Sequence, residues 1–332
     1  MELLLTGTAG DAGWPEPGCP CASCLTRPSG RAPFGLVVDG RAAYPWTDAP
    51  PGYRAHAGGL GLTAPDGSAL LYAPAGAPPP PDGPGRYDAV LIDLLERPER
   101  LGEMRRAGLV DEGTHVVAVG LDHRVRSEDE LARRLRLWGA RAVPDGAVLD
   151  TRVPPSPPAP APRRTLLLGG SRSGKSAEAE LRLAAEPYVT YVATGPRGEG
   201  DGEWAARVRA HRVRRPAHWA TAETTDLTGA IGAATGPLLV DGLGTWLAAV
   251  FDEHAAWEGD RAPVERRCDE LVRAWRHAPR RVVAVSDETG MGVVPATAGV
   301  RAFRDALGRL NERLAAESED VALVVAGRPL PL

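Results

Sequence analysis

Lysine is almost absent from this 332-residue chain: of 39 basic residues, 38 are arginine and one, Lys175, is lysine. Such a bias is what GC-rich coding would give. Cysteine is also scarce. Four in a chain of this length exclude a disulfide scaffold. No apolar run approaches the roughly 20 residues of a membrane-spanning helix. Residues 1–5 are too short, and lack a preceding positive region, for a signal peptide. Formal net charge is −4 with no basic stripe, which argues against a nucleic-acid partner. No internal repeat is evident. A soluble cytoplasmic protein of about two domains is expected.

The one lysine lies where arginine is a poor substitute. It sits in Gly169-Gly170-Ser171-Arg172-Ser173-Gly174-Lys175-Ser176, a G-x-x-x-x-G-K-[ST] phosphate-binding loop. A compact ammonium fits between phosphates inside such a loop, whereas a planar guanidinium does not. The flanks agree. Thr165-Leu166-Leu167-Leu168 reads as a short buried strand, and the Ala-, Leu- and Glu-rich residues 177–185 read as a helix. Strand, glycine turn and helix start together aim backbone N–H groups and a positive dipole end at an anion. Lys175 is then expected on the β- and γ-phosphates of ATP or GTP, and the Ser176 hydroxyl on Mg²⁺.

Residues 153–162 read V-P-P-S-P-P-A-P-A-P, a stiff polyproline-type linker. They divide the chain into residues 1–152, a linker at 153–163 and residues 164–332. In the C-terminal part, strand patterns at 165–168, 189–193, 238–240, 281–285 and 321–325 alternate with helical patterns at 202–214, 244–253, 264–277 and 300–317. The expected class is α/β: a P-loop parallel sheet with helices on both faces, binding ligands at the carboxyl ends of its strands. Thr194 and Gly195 follow the second strand. Asp241 ends an apolar run, the place of a second acid beside Mg²⁺. Ser286, Asp287 and Glu288 follow the next strand. A lone Asp after an apolar run is also a common turn residue.

Further segments make the C-terminal part more specific: Tyr191-Val192-Ala193-Thr194, Ala206-Arg207-Val208-Arg209-Ala210-His211-Arg212, Arg215-Pro216-Ala217-His218-Trp219, Glu288-Thr289-Gly290-Met291-Gly292-Val293-Val294-Pro295, and Phe303-Arg304-Asp305-Ala306-Leu307-Gly308-Arg309-Leu310-Asn311. With the phosphate loop, this ordered set resembles the bifunctional adenosylcobinamide kinase / adenosylcobinamide-phosphate guanylyltransferase family of cobalamin nucleotide-loop assembly. The resemblance implies that His211 attacks the α-phosphate of GTP and carries GMP as a phosphoramidate. It implies that Arg212 and Arg215 neutralise phosphate charge, that Glu223 contacts guanine, and that the chain forms a homo-oligomer, a trimer. By residue type alone, His211 is one histidine in an arginine-rich helix, Glu223 is equally a surface acid, and His218 beside Pro216 and Trp219 reads as packing. The sequence shows no general base for the kinase step.

In the N-terminal part, Cys19-Pro20-Cys21-Ala22-Ser23-Cys24 has the spacing of metal ligands. Three thiolates need a fourth ligand for a structural zinc, with His123 the first candidate and His56 and His115 the others. Three reduced surface thiols are the alternative, and Cys268 reads as a packing thiol. Leu5-Thr6-Gly7-Thr8-Ala9-Gly10, followed by the cysteine segment, resembles the start of metallo-β-lactamase-fold phosphodiesterases that carry an extra structural zinc. The H-x-H-x-D-H cluster those enzymes need for two catalytic metals does not occur, so the resemblance implies a truncated, non-catalytic relative. Strands are expected at 68–73, 89–94 and 115–119. Two other functions compete for the whole chain: a nucleotide-operated switch or chaperone, and a single-function small-molecule kinase. Both lack a covalent GMP.

Overall fold

The computed structural model describes residues 1–26, 30–77, 83–195 and 215–332. They form two compact units, Met1–Pro160 with Ala184–Pro187, and Ala161–Leu183 with Tyr188–Leu332. No helix among the described residues is long and apolar enough to cross a membrane.

The first unit contains β1 (Glu2–Gly7), α1 (Ala22–Leu25), β2 (Gly35–Val38), β3 (Ala42–Ala43), β4 (Arg54–His56), β5 (Gly61–Thr63), β6 (Ala69–Ala73), β7 (Ala89–Ile92), α2 (Glu99–Arg106), β8 (His115–Ala118), α3 (Glu128–Trp138) and β9 (Ala147–Asp150). The strands make two sheets, ordered β3-β2-β1-β9 and β4-β5-β6-β7-β8. Alternate residues of each sheet share one core: Leu3, Leu5, Leu36 and Val38 from the first, Leu62, Leu70, Leu91 and Val117 from the second. Burying one face of each strand fixes register, because a one-residue slip would turn every side chain outward. The helix α3 begins at Ser127, whose hydroxyl accepts the Glu130 N–H, and ends at Gly139 in the left-handed conformation, φ 62°.

The second unit contains β10 (Arg164–Gly169), α4 (Lys175–Leu183), β11 (Thr190–Ala193), β12 (Ala220–Glu223), α5 (Leu227–Gly232), β13 (Leu238–Asp241), α6 (Leu243–Glu253), α7 (Ala262–Arg276), β14 (Val282–Asp287), α8 (Ala298–Ala316), β15 (Asp320–Val325) and β16 (Arg328–Pro331). One seven-stranded sheet has the order β12-β11-β13-β14-β10-β15-β16. All neighbours are parallel except β15 and β16. Its strands are apolar at successive positions because both faces are covered. Leu166, Val240, Val282 and Ala284 join α5, α6, α7 and α8 in one core. Leu167, Leu239, Val283 and Val285 point the other way and pack with Ala179 and Leu183 of α4.

Expected strands and helices in this unit are present with ends shifted by a few residues; the helix expected at 202–214 lies outside the described residues. The strands β12 and β16 and the short α5 have no counterpart in the sequence reading. Ala220-Thr221-Ala222-Glu223 has no apolar run, and only one of its four residues is even half-buried. Pro155, Ser156, Pro158 and Ala159, within the expected linker, line a cavity of about 780 Å³ beside α3 in the first unit.

Glu130, 8% exposed on α3, offers a stability test. Burial alone would raise its carboxyl, but ion pairs with Arg126 and Arg134 outweigh burial and hold it at about 2 rather than 4.5. A depressed folded-state value means the contribution is present above pH 4.5 and is lost as pH falls toward 2. Glu130→Gln should cost about 1–2 kcal/mol at neutral pH, discounted because the Arg126 side is solvent-screened. Thermal melts should show the gap to wild type closing on acidification. A gap that is the same in acid as at neutral pH would remove this account.

Candidate nucleotide site and candidate zinc centre

The carboxyl edge of the second sheet gathers polar residues in strand order. Glu223 ends β12, Thr194 follows β11, Asp241 ends β13, Asp287 ends β14, and the glycine loop follows β10. Parallel pairing sets them level: Ala193 is paired with Glu223 and with Asp241, and Gly169 with Asp287.

The loop needs glycine at its start. A Cβ on Gly169 would lie 2.5 Å from Ser173 Oγ and 2.7 Å from the Val324 carbonyl oxygen. Gly170, Ser171 and Arg172 form the turn, with Ser171 and Arg172 exposed. The Ser173 carbonyl accepts the Gly327 N–H at 2.7 Å, which ties the loop to the turn after β15. The helix α4 starts at Lys175, so Lys175 and Ser176 occupy its first turn. Lys175 is 6% exposed; its Nζ donates to the Gly170 carbonyl at 3.0 Å and pairs with Asp287 Oδ1 at 2.8 Å.

Ser176 Oγ donates to Asp241 Oδ1 at 3.0 Å. Adjacent ligands of an octahedral Mg²⁺ are separated by about 2.9 Å, so this hydroxyl and carboxylate fit such an ion. The other Asp241 oxygen accepts the Tyr191 hydroxyl. Burial first, then the Asp241 carboxylate, push the Tyr191 phenol far above its ordinary range, so it remains a donor. Thr194 Oγ1 lies 2.7 Å from both the Gly242 carbonyl oxygen and Thr245 Oγ1, which fixes the turn after Asp241. Gly195 is the last described residue before 215.

The Arg215 guanidinium lies 3.2 Å from the centre of the Tyr191 ring. Arg215, Pro216, Trp219, Thr221 and Glu223 line a pocket of about 340 Å³. His218 is half-buried beside the buried Trp219. His211 and Arg212 lie outside the described residues. The sequence places Asp287 at this edge and Tyr191 in the Tyr-Val-Ala-Thr segment but assigns neither a partner. Strand order supplies both: Asp287 meets Lys175, and Tyr191 meets Asp241.

In the first unit, the ligand atoms of Cys19, Cys21, Cys24 and His123 all lie within 4.8 Å of one another. Cys19 Sγ is 3.7 Å and Cys24 Sγ 3.9 Å from His123 Nδ1. Ligands around a tetrahedral Zn²⁺ are about 3.5–3.8 Å apart, so the set fits that ion. Of the three candidate fourth ligands, the fold brings His123 to the thiols. His115 instead lies between the Val153 carbonyl oxygen, at 2.8 Å, and Arg141. Among the described residues this is the one such group of three or more. Glu16 Oε2 is 3.1 Å from the same His123 nitrogen. Burial pushes the Cys24 thiol up to about 11, so metal binding there releases a proton and weakens as pH falls. Cys268 is buried in the core of the second unit.

A P-loop lysine, a hydroxyl and an acid level with it, all at the carboxyl edge of a parallel sheet, define a P-loop nucleotide-binding domain. The sequence model of the cobinamide kinase / cobinamide phosphate guanyltransferase family matches residues 165–332. The chain belongs to that family. It is 41% identical over 174 residues to the bifunctional adenosylcobalamin biosynthesis protein CobU of Salmonella typhimurium, covering 49% of this chain and 95% of that protein. It is 41% identical over 177 residues to CobP of Pseudomonas aeruginosa, covering 51% of this chain and 96% of that protein. The Escherichia coli CobU is 36% identical over 177 residues, covering 95% of its length. Among solved structures, a type III secretion system ATPase aligns at 12% identity and a TM-score of 0.32, over 48% of this chain and 50% of its own.

The zinc centre is tested directly. Protein purified under reducing conditions without chelator should carry about one Zn²⁺ per chain, and Cys24→Ser or His123→Ala should lose most of it. Less than about a tenth of an equivalent in the wild-type chain would return the cysteines to reduced thiols.

Proposed function

We propose that the second unit phosphorylates adenosylcobinamide with ATP or GTP and then transfers GMP from GTP to the product, giving adenosylcobinamide-GDP. The observation that carries the reading is the coincidence of Lys175, Ser176 and Asp241 at one sheet edge, inside the span that matches the family. In the first reaction a hydroxyl oxygen attacks the γ-phosphorus and the nucleoside diphosphate leaves. Such transfers depend mainly on positioning and charge neutralisation. Lys175 neutralises phosphate oxygens, and backbone N–H groups of residues 170–176 cradle them. Ser176 and Asp241 would hold Mg²⁺, whose charge offsets that of the β- and γ-phosphates when bound.

In the second reaction the neutral imidazole of His211 displaces pyrophosphate from GTP. The phosphoramidate then yields GMP to the substrate phosphate. Dividing the transfer in two avoids aligning two large substrates on GTP at once. Glu223 in the pocket with Arg215 and Trp219 favours guanine, because a carboxylate accepts from the ring N–H and the 2-amino group, which adenine lacks. A switch, a chaperone and a single-function kinase need no such adduct. The reading includes a homo-oligomer, a trimer by family resemblance, working in the cytoplasm.

We read the first unit as a non-catalytic relative of the metallo-β-lactamase fold. Two sheets sharing one core support this, as does a zinc-type cluster separate from any paired His/Asp set among the described residues. Two-metal hydrolysis would need a further metal-type group, and among the described residues the cysteine–histidine cluster is the one present.

With GTP and Mg²⁺ the chain should gain the mass of one GMP, labile to acid. His211→Ala should abolish the gain and His218→Ala should keep it. An adduct that survives loss of His211 moves the nucleophile elsewhere. Lys175→Arg should lose at least about 100-fold in turnover despite conserved charge. Near-normal turnover would place the phosphates away from this loop.

A further inference from the structure

We propose that Asp287 receives the proton of the attacking hydroxyl in the phosphoryl-transfer step, an inference that rests on the kinase reading above. Strand order carries the first part. The strand β14 lies between β10, which leads into the phosphate loop, and β13, which ends in Asp241. The end of β14 therefore faces the space between Lys175 and the Ser176–Asp241 pair, where a terminal phosphate must sit.

Distance carries the second part. Asp287 Oδ1 is 2.8 Å from Lys175 Nζ, so it stands where a phosphate oxygen would stand once nucleotide binds. When the ammonium turns to phosphate, this carboxylate is left beside the transferred group without its cation. Its other oxygen, Oδ2, accepts no hydrogen bond from the described residues. The side chain is 41% exposed against 8% for that of Lys175, which leaves it open to an incoming substrate. The alternatives are committed: Asp241 holds Ser176 and Tyr191 with its two oxygens, and Glu288 Oε1 accepts the Gly290 N–H at 3.0 Å.

The recess is built for this side chain. The Asp287 carbonyl accepts Asn311 Nδ2 at 3.1 Å, and Asn311 Oδ1 accepts Ser286 Oγ at 2.6 Å. Ser286 is fully buried and Asn311 is 3% exposed, so the backbone at 287 is fixed from α8. Gly244, in the first turn of α6, keeps the opposite wall open: a Cβ there would lie 2.7 Å from Asp287 Oδ2. In the reaction the hydroxyl O–H bond breaks to Asp287 Oδ2 as the new O–P bond forms. The bond from the γ-phosphorus to the bridging oxygen breaks with its electron pair on the leaving diphosphate. The carboxylic acid then returns its proton to water.

The test uses the full chain with adenosylcobinamide and Mg²⁺–GTP, and compares wild type with Asp287→Asn and Asp287→Ser. Thermal melts check that each variant is folded. We expect the kinase kcat to fall about 100-fold or more, the size of a general-base contribution. Nucleotide KM, GMP-adduct formation and transfer to substrate already phosphorylated, which sense only the lost partner of Lys175, should change by much less than the kinase kcat, about tenfold at most. If Asp287 only positions Lys175, nucleotide KM will rise and both half-reactions will fall together, which overturns the proposal. A kinase kcat within about tenfold of wild type in both variants also overturns it. Absence of any phosphoryl transfer by the wild-type chain, with the GMP adduct intact, removes the kinase reading and this proposal together.

Discussion

The ammonium of a lysine that is only 6% exposed must be neutralised whether or not a nucleotide is present, and the geometry around Lys175 follows from that requirement. Leaving such a charge unpaired in the interior costs several kcal/mol. The chain meets the demand with a carbonyl of the loop itself and with Asp287 from the neighbouring strand. That answer in turn requires β14 beside β10, in a register that sets Asp287 level with Gly169. It also requires glycine at 169 and 244, where a side chain would collide with the loop or the carboxylate. The loop, the strand order and the start of α6 are thus linked through one charge.

The same dependence explains what the sequence made legible. The strand before Lys175 could be read because Leu166 and Leu167 face opposite covered sides, giving an unbroken apolar run. The strand β12 could not, because at the sheet edge its mostly exposed residues need no such run. The phosphate loop is a local arrangement and appears whole in eight consecutive residues. The Lys175–Asp287 and Tyr191–Asp241 pairings join residues 112 and 50 positions apart, and only the sheet order brings them together. His211 rests on family resemblance throughout, since it falls outside the described residues.

In the first unit the contrast is sharper. Cys19, Cys21 and Cys24 are close because Cys19 precedes, Cys21 caps and Cys24 lies within a four-residue helix, the Cys21 thiol accepting the Cys24 N–H. Their spacing is therefore visible in the sequence. Their partner His123 lies 99 positions beyond Cys24, and a sequence offers no metric for that approach. Three histidines competed for the place. The fold gave His115 a different one, against Val153 and Arg141, where its ring nitrogens are already used.

Tyr191 ties the phosphate loop to the pocket next to it. Its ring lies under Arg215, which lines the pocket with Glu223, and its hydroxyl holds Asp241, which in turn holds Ser176. Burial and the Asp241 charge keep the phenol protonated, so the contact stays a donor to the carboxylate. A nucleotide phosphate that draws Arg215 away changes the environment of the ring that orients Asp241. An ion held by Ser176 and Asp241 acts on the same ring from the other side. Linkage would make any such effect reciprocal: if nucleotide at Arg215 changed the affinity of the Asp241 side for an ion, the ion would change nucleotide affinity by the same factor. A chain that uses one sheet edge for two transfers would thereby have a physical connection between them in a single buried phenol.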